Sequence, residues 1–139
     1  HLNWKEFEYL TAELSEYHGY KCLRNIVLSK PRLQIDVLAI GFDHGLAFDC
    51  KHWKKPLGLN MLSKKVERHI NRCRRYSQSA AFRDLRVDRI LPVMLTLILE
   101  DYKVINGIPV VSIDQMNSFL MELTSIGEKF NYIRIGEID

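Results

Sequence analysis

Cysteine is scarce. Cys22, Cys50 and Cys73 are the only three in 139 residues, an odd number, widely spaced, with no Cys-x-x-Cys pair and no histidine at zinc-finger distance. That pattern argues against a zinc module and points to a reducing, cytoplasmic setting. Long apolar runs are missing too. The longest, Ile90 to Leu99, is broken by Pro92 and Thr96 and is about half the ~20 residues a membrane span needs, so it reads as a buried strand and no membrane partner is expected. No basic-then-apolar leader opens the chain, which argues against secretion. Internal repeats and low-complexity segments are absent as well.

What is present is a hydrophobic content of 47%, enough for one compact domain over residues 1–139 with a real core. The net charge of +3 is modest, but its distribution is not. Between Lys51 and Arg75 nine Lys or Arg face one acid, Glu67, whereas from Glu100 onward seven acids face three bases. A polyanion-facing side would produce this asymmetry, and so would a solvated helix face.

Trp4, Phe7, Leu10, Thr11, Leu14 and Tyr17 recur at helical spacing and His18-Gly19 stops the run, predicting an amphipathic helix over about 3–18. Residues 21–28 read as a strand ended by Lys30-Pro31. QIDVLAI (34–40), a GFDHG turn (41–45) and LAFDCK (46–51) form a β-hairpin, apolar on both faces as in a sheet covered on two sides. A long helix follows over about 58–80, with Met61, Leu62, Val66, His69, Ile70, Cys73, Tyr76 and Ala80 on its apolar side. Strands at 90–99 and 108–113 come next. Asp114 is placed as the N-cap of a last helix carrying Met116, Phe119, Leu120 and Leu123, with a short strand near 132–135. The expected fold class is α/β, with a mixed central sheet flanked by helices.

If the hairpin turns tightly through Asp43-His44, position 36 lies opposite position 51. Alternation then puts Asp36, Asp49 and Lys51 on one face and Ile35, Val37, Phe48 and Cys50 on the other. A one-residue slip would move Asp36 to the wrong face. Two carboxylates and an ammonium on a buried sheet are costly unless they pair with each other or hold an ion. A structural salt bridge is one explanation. The other is that Asp36 and Asp49 supply oxygen ligands to Mg²⁺ or Mn²⁺, with Lys51 orienting or deprotonating a water or neutralising charge on a phosphorane.

Asp36 followed by Asp49-Cys50-Lys51 on the next strand, behind a helix containing Phe7-Glu8, resembles the PD-(D/E)XK nuclease superfamily, nearest to Mrr-type restriction endonucleases and archaeal Holliday-junction resolvases. The resemblance extends to Gly19-Tyr20 after the first helix, to the helix after Lys51, and to VVSIDQMNSFL. It implies a restriction-endonuclease-like α-β-β-β-α-β core and Mg-dependent hydrolysis of DNA phosphodiesters. Asp36, Asp49 and the backbone carbonyl of Cys50 would ligate the metal, Lys51 would be the catalytic lysine, and Glu8 would complete the site. Helical angles alone leave Glu6 as good a candidate as Glu8; the Phe-Glu pair favours Glu8. Ile35 stands where the superfamily has its proline, and PRLQI replaces the Gly-rich run of Mrr-like members. Because two such sites are commonly needed to cut both strands, a homodimer is expected by analogy.

His52, Lys54, Lys55, Lys64, Lys65 and Arg68 follow the motif where a phosphodiester backbone would pass, and such contacts give affinity without sequence selectivity. Trp53 is expected to pack, Gln34 to bond a water or a backbone oxygen, and His69 to be a satisfied core histidine. Two rival functions share these features: a nuclease-fold module that binds DNA without turnover, and an RNA-processing nuclease. No RNA-stacking aromatic motif favours the second.

Overall fold

The computed structural model describes residues 2–30 and 32–135. Pro31, expected to end the first strand, lies outside them. Seven strands form one mixed sheet in the order β1-β2-β3-β4-β6-β5, with β7 also paired to β4. β1 (Lys21–Leu28), β2 (Leu33–Ile40) and β3 (His44–Lys51) are antiparallel neighbours. β3 then runs parallel to β4 (Arg89–Thr96) along its whole length, from His44 opposite Arg89 to Lys51 opposite Thr96. β6 (Ile108–Ser112) pairs with β4 only from Met94, and β7 (Ile133–Arg134) only up to Ile90. Pro92, which has no amide proton to give, falls in the gap between them, so a central strand tolerates it.

Both faces are covered, as the two-sided apolar strands require. On one face α2 (Leu59–Ser77) lays Leu62, Val66, Ile70, Cys73 and Tyr76 over Leu38, Ala47, Ile90 and Met94. On the other, α1 (Trp4–Tyr17) and α4 (Met116–Ile126) bring Phe7, Ala12, Met116 and Phe119 against Val37, Phe48, Leu91 and Val93.

Several expectations need correction. The long helix ends at Ser77, and Ser79 accepts the Phe82 amide to cap a separate helix, α3 (Ala80–Asp84). Met61 is exposed on α2. The buried side of α1 is Phe7, Glu8, Thr11, Ala12 and Ser15, while Trp4 and Tyr17 are exposed. Asp114 sits inside a 3-10 turn at Ile113–Gln115 that precedes α4, so it does not cap that helix. Finally, β6 is half of a hairpin with β5 (Val104–Ile105), joined by Asn106-Gly107 with φ of 53° and 79°, the signature of a type I′ turn.

Candidate functional site

The β2–β3 ladder runs from Ile40 opposite Gly45 to Val37 opposite Phe48. The turn therefore centres one residue earlier than Asp43-His44, and the register is offset by two residues from the expected one. A two-residue offset preserves side-chain parity, so Asp49 and Lys51 still project together, toward α2.

Asp36 reaches them differently. Leu33 and Ile35 pack beneath α2 with Leu38, whereas Val37 packs on the α1 side. Strict alternation, which would put Ile35 with Val37, therefore inverts at Asp36. β1 inverts at the same level, with Cys22 on the α1 side and Ile26 and Leu28 on the α2 side. Asn25, across from Asp36 in the register, takes the left-handed conformation at φ 54°, which asparagine tolerates better than most residues. Beyond this kink β2 leaves β3. The side chain of Asp36 replaces the lost rung by accepting the Cys50 amide on Oδ2 at 2.9 Å.

Asp49 is buried at 3% exposure and both its oxygens are engaged. Lys51 Nζ lies 3.3 Å from Oδ1, and Arg72 Nη2 donates to Oδ2 at 2.8 Å. Burial opposes ionisation of Asp49, but His69, Lys51 and Arg72 outweigh it and hold the carboxyl below its usual range. Asp36 moves the other way. Burial and the adjacent Asp49 carboxylate push it up to about 6, against the Cys50 amide and Lys51.

Glu8 turns toward Asp36 and Glu6 does not. Glu6 reaches back to the Asn3 amide while Asn3 Oδ1 accepts the Glu6 amide, closing a capping box. Glu8, 5% exposed, turns inward, where burial and Asp36 raise it to about 7. Burial also pushes the Cys50 thiol well up, and its Sγ lies 3.7 Å from the Thr11 hydroxyl.

Among the described residues no three of His, Cys, Asp and Glu are drawn together as a metal-binding group. The donor set is the Asp36/Asp49 pair, with Glu8 in electrostatic reach. Two hard carboxylates suit Mg²⁺, which keeps most of its waters and takes one or two carboxylates. In an extended strand the N–H and C=O of one residue point the same way, so the Cys50 carbonyl shares the side on which its amide meets Asp36.

The basic residues divide. Lys65 and Arg68 line a cleft of about 370 Å³ with Lys51, Arg72 and Arg75. Lys54, Lys55 and Lys64 are exposed and outside its lining. His52 bonds the Leu2 carbonyl through Nε2, which ties it to the start of the chain. Trp53 packs as expected; its indole donates to Glu100 Oε2 at 2.5 Å, and Lys65 lies over its ring. Gln34 donates to the Asn25 side chain. His69 is a satisfied core histidine, donating from Nε2 to the Ala47 carbonyl at 2.7 Å, with burial lowering its pKa. Sequence reasoning placed Arg72 only in the basic run. The signal for it was the spacing Lys65, Arg68, Arg72, Arg75, one helix face above the Asp49 side of the sheet.

A larger cavity, about 750 Å³, opens at the opposite end of β3. There Tyr20, His44, Asp43 and Arg89 are bonded to one another. No described helix is long and apolar enough to cross a membrane.

No protein-family model matches the chain. It is 27% identical over 135 residues, spanning 95% of this chain and all of the relative, to an uncharacterized protein of Archaeoglobus fulgidus. Among solved structures, it superposes on a protein of unknown function with a TM-score of 0.54 and 16% identity, over 76% of this chain but only 55% of that one. It also superposes on the small subunit of the heterodimeric restriction endonuclease R.BspD6I with a TM-score of 0.52 and 16% identity, over 90% of this chain and 72% of the subunit. The chain is thus a mixed α/β protein whose helix-flanked sheet is similar in fold to a restriction endonuclease subunit.

Proposed function

We propose that the chain is a metal-dependent nuclease hydrolysing DNA phosphodiester bonds, of the Mrr-like restriction or junction-resolving kind. The observation that carries this reading is the meeting of Asp36, Asp49 and Lys51 just past the last rung of the β2–β3 ladder, beside a cleft walled by cations. The likeness in fold to a restriction endonuclease subunit supports it.

In this reading Asp36, Asp49 and the Cys50 carbonyl hold Mg²⁺ or Mn²⁺, with Glu8 completing the site. The bound cation would supply charge neutralisation at the scissile phosphate and a more acidic water. Asp49 orients Lys51 through their 3.3 Å contact, which leaves the ammonium at the mouth of the cleft to position the attacking water or to stabilise developing negative charge. Lys65 and Arg68 hold the strand by its phosphates without reading bases. A homodimer would place a second site on the opposite strand.

A second reading, a DNA-binding module without turnover, is favoured by one observation: both Asp49 oxygens are occupied by side-chain cations. Supercoiled plasmid separates the two. The nuclease reading expects nicking or linearisation with Mg²⁺ and none in EDTA, and expects Asp49→Ala and Lys51→Ala to stop cleavage while DNA binding persists. Plasmid that stays intact with Mg²⁺ but is retarded on a gel favours the module, and metal-independent cleavage removes the mechanism.

A further inference from the structure

Arg72 is poorly matched to the partner it has. The Nε and Nη2 of a guanidinium form one edge, a two-pronged donor that suits two acceptor oxygens at once. Asp49 takes only Nη2, because its other oxygen is held by Lys51. The Nε is left buried with no hydrogen-bond partner. A buried donor without an acceptor is unfavourable, so this arrangement favours a bidentate acceptor.

Arg72 also stands on a boundary. Its guanidinium touches the Asp49 carboxylate, and the same side chain lines the cleft that Lys51, Lys65, Arg68 and Arg75 surround without a single acid. A phosphodiester has two non-bridging oxygens at the spacing the guanidinium edge requires, and this cleft is where a positive field would concentrate it.

We propose that Arg72 is an exchange residue: a nucleic-acid phosphate entering the cleft draws its guanidinium off Asp49, and that movement frees Oδ2 for the divalent cation. The inference rests on the nuclease reading of the site. With the cleft empty, Arg72 and the cation compete for one oxygen. With a phosphate bound, Arg72 uses both prongs on the phosphate and the competition ends. By thermodynamic reciprocity the cation must then tighten phosphate binding by the same factor. Arg72 is a positioning residue here, acting on the metal site through Asp49, and it suppresses metal loading in the absence of a strand.

The test is direct binding of Mn²⁺ to the full chain, with free Mn²⁺ read by electron paramagnetic resonance, alone and with a saturating 20-base-pair DNA duplex. The duplex alone and the Asp49→Asn protein serve as blanks. The wild type should bind Mn²⁺ at least tenfold more tightly with the duplex present. Arg72→Gln should bind Mn²⁺ at least fivefold more tightly than wild type without DNA, and the duplex should then add less than twofold. Arg72→Lys keeps a charge near Asp49 but loses the fork, so it guards against a glutamine variant that does not fold. It should keep weak Mn²⁺ binding without DNA and lose most of the duplex effect. Plasmid nicking by the wild type, together with Mn²⁺ affinity unchanged in both Arg72 variants, overturns the exchange and leaves the nuclease reading standing. Coupling that vanishes on Arg72 substitution, with no nicking by the wild type, overturns turnover and keeps the exchange. A wild type that binds no Mn²⁺ with or without duplex overturns both.

Discussion

Asp36 accepts the Cys50 amide proton at 2.9 Å, although the ladder between their strands has already ended at Val37 and Phe48. One carboxylate thus performs two tasks. It closes the split in the sheet as an acceptor, and it presents its charge beside Asp49. The two tasks separate by substitution. Asp36→Asn keeps an acceptor for Cys50, whereas Asp36→Ala leaves that amide without one, so the alanine protein should be about 1–2 kcal/mol less stable than the asparagine protein. Both should lose Mg²⁺-dependent nicking. Urea unfolding beside a plasmid assay reads both effects, and equal stability of the two variants would assign the Cys50 amide another acceptor.

Glu8, at about 7, and Asp36, at about 6, lie above the 4.5 and 3.8 of the unconstrained groups. These two carboxyls therefore hold more protons in the folded protein than in the unfolded chain from about pH 4 to 7, and without metal their contribution to stability should fall as pH rises through that window. Buried His69, whose lowered pKa acts in the opposite sense, offsets this below the ordinary histidine value of 6.5. Cleavage should move oppositely, rising from pH 6 toward 8 as both carboxyls ionise and accept a cation. Melting temperatures in EDTA at pH 5.5 and pH 8 give the first trend, and Glu8→Gln should shrink the difference. A difference that Glu8→Gln leaves unchanged contradicts the assignment.

Lys65→Ala with Arg68→Ala removes two cleft cations and should flatten the dependence of log affinity on log salt by roughly two, at about 0.9 per phosphate contact. Lys64→Ala, exposed and outside the cleft, should change the slope by less. Fluorescence anisotropy of a labelled duplex at several salt concentrations measures this. Equal slopes for wild type and the double variant would place the strand elsewhere.

Glu100 is buried and accepts both the Trp53 indole and the Leu57 amide, the latter at 3.0 Å. It holds down the connection between β3, which carries Asp49 and Lys51, and α2, which carries most of the basic cleft. Glu100→Ala strands two donors and should cost roughly 2–4 kcal/mol, with Trp53 fluorescence shifting red as the ring meets water. Glu100→Gln keeps one acceptor oxygen and should cost less. Unchanged fluorescence in the alanine variant would show that packing alone holds the indole.

The parts of this site that obey a short period were legible in the residues. Alternation placed Asp49 beside Lys51 whatever the turn, because the two-residue difference in register leaves parity intact. Helical angles leave Glu6 and Glu8 equal, and the Phe-Glu resemblance favours Glu8; the Asn3 cap that engages Glu6 is seen only in the structure. What alternation cannot carry is its own interruption. The inversion at Asp36 depends on a left-handed Asn25 on another strand and on an amide fourteen residues away. Ile35 was therefore assigned to the wrong side of the sheet. Arg72 was hidden for a related reason. Its role comes from the height at which α2 crosses β3, a tertiary quantity, although its residue type and spacing were in plain view. The Asn106-Gly107 dipeptide does carry a turn signal, which the expectation of a lone strand at 108–113 leaves out. For Asp114, residue type suggested a cap, but the 3-10 turn begins earlier, at Ile113, and made that role impossible.

The parallel pairing of β3 with β4 also sets a schedule. Each partner in that ladder, from His44 with Arg89 to Lys51 with Thr96, is separated by 45 residues of chain, and the hairpin of β2 and β3 spans far fewer. Closing a loop of that length is entropically slow, whereas the hairpin and α2 can form from local contacts. Asp36 and Asp49 thus approach each other early, on a hairpin not yet roofed, and burial of the pair waits for β4. Until then water screens the carboxylates, and the repulsion between them is felt only when the crossover docks and Arg72 arrives with α2. Burial of the acidic pair thus depends on a long-range closure that the hairpin itself does not need.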